Sequence, residues 1–355
     1  MSYVNDRIPE GPWSVHVLKI ARSRKDYELH TTMARSGMLG LSTLSEQIKT
    51  LPPELGTPVA AINGDFWSPG RQYEGDPMGL HLLRGELTSA PAGRSALWID
   101  GAGDLHATNV FAQFRVAWPN GQTTPFGLNE ERSSSAAVLY TPVVGANTRT
   151  RGGRELVLER NGTNSWLPLR PDCTLSARVA AVREGGNSPL NASQLVLSLG
   201  PQIAEQTPQV TPGAVLTIVT DLSPSLCGVK TALGGGPMLL RNGQPLAFNG
   251  AQSRHPRTAI GWNDKYLFLV EVDGRQRTLS VGMTFPELAS YLLKLGCTDA
   301  LNLDGGASST IWVHGQVMNS PCAGRERPMA NALVLVQKPK SSAGASVGPG
   351  AAPGR

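Results

Sequence analysis

The chain has 355 residues, of which 40% are hydrophobic and 17% charged, with Gly 40 and Pro 27. That much apolar material excludes a disordered polymer, the glycine and proline content excludes an all-α fold, and no run of about 18 apolar residues marks a membrane span. Lys plus Arg 32 against Asp plus Glu 27 leaves +5, spread along the chain without a Lys/Arg-rich stretch of about 5 to 8 residues, so nucleic acid is not an expected partner and a mildly positive field suits an anionic substrate.

The predicted elements begin with Trp13, Val15, Val17 and Ile20 in near alternation, followed by a second strand over 27–31, and the two together suggest a hairpin. A short helix over 42–49 follows, with Ser42 or Thr43 as N-cap and Glu46 placed to return the capping bond. The apolar run 58–62 reads as a buried strand delivering Asn63 and Asp65 at its carboxyl end. From 94 to 220, short runs at 97–99, 136–140, 155–158, 176–182, 196–199 and 215–220 alternate with turn residues, the signature of antiparallel sheet. Strands over 258–262 and 266–272 flank the Asn263-Asp264 turn. The best-specified helix spans 285–295, with Thr284 as N-cap, Glu287 completing a capping box and Gly296 as the stop. Its apolar stripe is Leu288, Tyr291, Leu292 and Leu295. A strand over 300–303, a hairpin over 310–318 and a closing strand over 330–336 complete the pattern.

The expected fold is therefore α+β: mixed, largely antiparallel sheets with short strands, few helices and one βαβ unit near 266–304. Residues 1–337 read as a single catalytic domain, with an N-terminal segment over residues 1–93, a strand-rich middle over 94–230 and a motif-bearing region over 231–337. Residues 338–355, rich in Ser, Ala, Gly and Pro, read as a disordered tail. Residues 1–10 lack the apolar core of a signal peptide. Cys173, Cys227, Cys297 and Cys322 form no CxxC pair and stand apart from any HxxxH, so neither a zinc site of familiar spacing nor a cofactor is expected. A structural metal ion and disulfides stay open, as does the oligomeric state.

Chemistry concentrates after residue 250. A right-handed crossover from 266–272 through the helix to 300–303 makes its two strands parallel, so Asp273-Gly274-Arg275 and Asn302-Leu303-Asp304-Gly305-Gly306 finish on one sheet edge, where open α/β sheets bind ligands. An Asp-Gly pair after a strand is commonly only a turn; two of them beside Arg275 and Asn302 point to a site. The glycines permit close approach and an anion-binding nest. Ser253-Arg254-His255-Pro256-Arg257 supplies a positioned anion clamp, and Arg327 lies where it reaches the same edge. Ser308 and Ser309 have only His255 and His314 as conceivable bases and no G-x-S-x-G elbow, which leaves a serine triad unsupported. Paired carboxylates with a histidine and arginines fit hydrolysis of a glycosidic bond next to an anion.

Ser253-Arg-His-Pro-Arg-Thr-Ala-Ile-Gly261, Asp273-Gly-Arg275, Gly282-Met-Thr284, Asn302-Leu-Asp-Gly-Gly306 with Ser308-Ser309, and Arg327-Pro-Met-Ala-Asn331, in this order and spacing, resemble the phosphodiester glycosidase family. Gly234-Gly-Gly-Pro-Met238 fits its glycine segment. Departures fall at Asp65 and Ala307, where many members carry glycine. The resemblance implies a hydrolase that cleaves a sugar-1-phosphodiester at the glycosidic bond, releasing sugar and a phosphomonoester. In that reading Asp304 is nucleophile or base, His255 assists proton transfer and Asp273 completes the catalytic set. Arg257 and Arg275 hold phosphate, and Asn302, Asn63, Asp65, Gly305, Gly306, Ser308, Ser309 and Arg327 bind or orient the substrate. The resemblance favours an extracytoplasmic bacterial enzyme acting on wall, capsular or exopolysaccharide phosphodiesters. The competing expectations are a phosphodiesterase that breaks the P–O bond and a non-catalytic polysaccharide-binding module.

Overall fold

The computed structural model describes residues 1–34, 37–163, 166–250 and 252–339. Its framework is α+β: three sheets, with antiparallel pairing throughout the named strands except Gly127–Leu128 against Ala137–Tyr140. A 12-stranded sheet holds the middle of the chain and contains all six strands expected between 94 and 220. A 13-residue strand, Leu105–Ala117, joins it as well. Sequence reading missed this strand because exposed polar residues interrupt its apolar period.

A seven-stranded sheet and a five-stranded sheet carry the motif-bearing region. They pack face to face through Leu18, Ile20, Ile260, Leu269 and Leu301 on one side and Ile62, Ile311, Leu333 and Leu335 on the other. The helix Phe285–Lys294 covers the outer face of the seven-stranded sheet, burying Leu288, Tyr291 and Leu292 against Val15, Val17, Phe268 and Val270. The helix Leu44–Lys49 covers the outer face of the five-stranded sheet through Leu44 and Ile48. Four layers result, helix, sheet, sheet and helix, and odd and even residues of Trp13–Ala21 enter different cores, as the period-2 alternation of a strand requires. Both capping boxes form, at Thr43 with Glu46 and at Thr284 with Glu287.

Two expectations need correction. Trp13–Ala21 and Tyr27–Met33 are strands but not a hairpin: the first pairs with Ser2–Ile8 and Tyr266–Val272, the second with Asn331–Gln337. Each buries two faces, and only distant partners supply the second cover. Tyr266–Val272 and Asp299–Asn302 are parallel, but Arg257–Trp262 lies between them, antiparallel to both, so the βαβ unit is split rather than adjacent. Of the tail expected from 338, the Lys338 N–H donates to the Asp26 carbonyl, and residues 340–355 lie outside the described residues.

The topology gathers the motif-bearing strand ends on one edge. Asn63 is the partner of Ala332, Val272 of Arg257 and Asn302 of Ala259. The ends of Thr57–Asn63, Tyr266–Val272 and Asp299–Asn302 therefore meet the starts of Arg257–Trp262 and Asn331–Gln337.

Candidate active site

Asp304 follows the strand Asp299–Asn302 and is held by its backbone. Its N–H donates to the Gly64 carbonyl (3.0 Å), and its carbonyl accepts from Asn63 Nδ2 (2.7 Å). Asn63 Oδ1 in turn accepts from Thr258 Oγ1 (2.6 Å) and the Thr310 N–H (3.1 Å). This fully buried amide thus ties two strands and the residue before Ile311–Val313 to the Asp304 turn. The Asp304 side chain remains half-buried, and its Oδ1 accepts the Gly305 N–H (2.8 Å). Burial raises its pKa above the usual carboxylate range, against the opposing influence of the Ser308 hydroxyl, the Gly305 N–H, Arg327 and Arg94.

The turn is wedged against the His255 arm. The Gly306 N–H donates to the Pro256 carbonyl (2.9 Å), and the residue takes a left-handed φ of 64° that favours glycine. A β-carbon there would stand 3.0 Å from Arg275 Nη2, so the exposed Arg275 guanidinium lies over Gly306. The same Nη2 is 3.4 Å from His255 Nδ1. Burial and the nearby charges of Arg257 and Arg275 lower the His255 pKa, which keeps the imidazole neutral at neutral pH. The arm is fixed by reciprocal backbone bonds between His255 and Met283, next to the helix cap.

A second carboxyl stands behind Asp304. Asp65 is 1% exposed. Its Oδ1 accepts the Phe66 N–H (2.8 Å), and Oδ2 has no hydrogen-bond partner of good geometry among the described residues. A β-carbon on Gly234 would collide with this carboxyl, which explains the glycine after Leu233. Burial pushes Asp65 up to about 7, with Arg94 and the Phe66 N–H opposing and Asp304 adding to the rise. Arg327 Nη1 reaches Ser308 Oγ (3.3 Å), and its guanidinium lies over Trp67 at 4.8 Å.

The structure brings Asp304, His255, Arg275, Arg327, Ser308 and Asp65 to one edge. It gives other duties to several residues expected to touch substrate. Arg257 is 9% exposed, donates to the carbonyls of Met283 (2.9 Å) and Ser253 (3.0 Å) and stacks on Phe285; it clamps the arm rather than phosphate. Asn302 donates to the Gly236 and Leu303 carbonyls, and Asn63 is engaged as above. Gly305 and Gly306 direct their N–H groups to Asp304 and Pro256, which leaves no anion nest there. Ser309 is buried, and its hydroxyl has no partner among the described residues. Asp273 is 1% exposed and binds Ser14, His16 and the Ser320 N–H, so a catalytic contact is closed to it and it braces the loop carrying Arg275.

Sequence reasoning missed Arg94, in the strand Ala92–Ile99, and the aromatic floor of Phe66 and Trp67, over which Arg94 and Arg327 lie. No local motif marks Arg94; only the pairing of its strand with Thr231–Gly234 carries it toward the edge. A separate cleft of about 390 Å³, lined by Arg22, Lys25, Asp100 and Lys230, opens at the opposite ends of these strands.

Residues 175–336 match the phosphodiester glycosidase family. The chain is 32% identical over 114 residues to an SPbeta prophage-derived uncharacterized protein, YomE, of Bacillus subtilis (strain 168), covering 30% of this chain and 18% of that protein. It is 41% identical over 66 residues to the N-acetylglucosamine-1-phosphodiester alpha-N-acetylglucosaminidase of Bos taurus, covering 18% of this chain and 12% of that protein. The aligned segments thus span less than a fifth of either curated relative. A hypothetical protein from Synechocystis shares the fold, with a TM-score of 0.73 at 22% identity over 94% of this chain and 61% of that one.

Proposed function

From the phosphodiester glycosidase domain that residues 175–336 carry, we propose that this chain hydrolyses a sugar-1-phosphodiester between the anomeric carbon and the phosphate oxygen. The observation that carries the reading is the Asp304-Gly305-Gly306 turn, packed on His255-Pro256 with the Arg275 guanidinium above it. A carboxylate and a cation then flank one turn, and charge separation during C–O cleavage needs both. Asp304 supplies the carboxylate at the anomeric centre. Arg275 receives the developing phosphate dianion, with Arg327 and Arg94 as further cations on the Asp304 side. Neutral His255, beside Arg275, takes up the proton released by the incoming water. A phosphate leaves readily, so little acid assistance is required, and the buried Asp65 acts on Asp304 through charge rather than contact.

The first substrate to offer is an N-acetylglucosamine-1-phosphodiester, the class in the bovine relative's name. Hydrolysis in oxygen-18 water should place label in the sugar. Asp304→Asn should lower turnover by about 10² to 10⁴-fold with little change in thermal midpoint. Label in the phosphate would assign P–O cleavage instead, and undiminished turnover of the variant would remove Asp304 from the chemistry.

A further inference from the structure

A second cluster of charge lies inside the seven-stranded sheet. His16 is the direct cross-strand partner of Glu271, and Asp273 follows two residues later, on the same face. One ring nitrogen and one oxygen from each carboxylate lie within 4.8 Å of one another, and all three residues are at most 1% exposed. His16 Nε2 is 3.0 Å from Asp273 Oδ2, and Nδ1 is 2.7 Å from the Tyr3 hydroxyl. Ser14 Oγ, 2.8 Å from the same Asp273 oxygen, borders the cluster. Glu271 Oε1 accepts from Asn319 Nδ2 (3.1 Å), and Oε2 has no partner among the described residues.

We propose that His16, Glu271 and Asp273 form a buried structural site for a divalent transition-metal ion, with zinc the best fit. Two carboxylates and one imidazole leave an excess of negative charge away from water, an arrangement that proteins keep when it is paired or metal-bound. Glu271 Oε2 is buried without a hydrogen-bond partner among the described residues; a cation engages that oxygen directly. The 3.0 Å separation of Nε2 and Oδ2 suits two ligands each about 2.1 Å from one ion. The imidazole argues against calcium and magnesium, which take oxygen ligands. Tyr3 on the far ring nitrogen is the outer partner that metal-bound histidines characteristically have. An ion here pins the root of the loop that bears Arg275.

The test is independent of turnover. The full chain is stripped with a chelator and titrated with ZnCl2 and with CoCl2, following metal content, thermal midpoint and the visible cobalt spectrum. One equivalent of zinc, a rise in thermal midpoint reversed by chelator, and a cobalt band of low coordination number are expected. Tyr3→Phe should weaken zinc by about 10- to 100-fold. Glu271→Gln should fold without metal and lose both the zinc-dependent rise and the cobalt band. Wild-type protein that takes up no stoichiometric zinc or cobalt, or a Glu271→Gln variant that binds as tightly as wild type, overturns the proposal.

Discussion

Asp65 shows how one buried carboxyl ties stability to pH. Its pKa is pushed up to about 7 by burial, whereas an unfolded aspartate titrates near about 4. The folded state therefore holds the extra proton between those values, so stability is greatest on the acid side and declines as pH rises toward 7. Asp76, pushed up to about 8 by burial and the nearby Glu130 charge, extends the decline. In thermal denaturation across pH 5 to 8, Asp65→Asn should flatten the decline below about 7, by an amount on the order of a few kcal/mol, and leave the Asp76 portion. Superimposable profiles for wild type and variant would show that the Asp65 proton is not held as described. The candidate site residues were legible by type and by position after strands, but the direction of each side chain was not. Asn63, Asn302, Arg257 and Asp273 sit where an alternating strand end meets a turn, and their partners come from chain segments far away in sequence. Local pattern names such residues as polar and well placed without saying whether they face the opening or brace it.

At the scale of elements, the helix Phe285–Lys294 was the clearest in the sequence because its signals are local: a capping box, Pro286 in the first turn and an apolar stripe of period 3.6. Thr284 Oγ1 accepts the Glu287 N–H (3.3 Å), and Glu287 Oε2 accepts the Thr284 N–H (2.8 Å). Glu287 also pairs with Arg254 of the His255 arm. The cap thus links helix, Met283 and arm in one run of contacts. Thr284→Ala should cost about 1 kcal/mol in denaturant unfolding, with Thr284→Ser recovering most of it. An Ala variant as stable as wild type would mean that the arm, not the cap, fixes the helix start. The supposed hairpin of Trp13–Ala21 and Tyr27–Met33 failed for the opposite reason. Its strands were legible, but their pairing was chosen by burial on both faces.

Across the whole molecule, the four-layer arrangement brings residues some 250 positions apart onto one edge, and this non-local register is what no local period could announce. Continuous apolar runs in Thr57–Asn63, Tyr266–Val272 and Asn331–Gln337 announced buried strands, yet nothing in them told which sheet each would enter. Asn63 is the residue in which that assembly and the proposed chemistry meet. It belongs to the five-stranded sheet, accepts from Thr258 of the seven-stranded sheet and from the Thr310 N–H, and holds the Asp304 carbonyl. Asn63→Ala leaves a hydroxyl, an N–H and a carbonyl without partners in a buried joint, each costing about 1 to 3 kcal/mol when unmade. The denaturant midpoint should fall accordingly. Because the Asp304 turn loses its anchor, turnover should drop by up to about 10²-fold even where the variant remains folded, the loss expected when a catalytic group moves by about 1 Å. A variant that loses stability but keeps its turnover would confine Asn63 to holding the sheets together and would place the anchoring of Asp304 in its backbone bond to Gly64 alone.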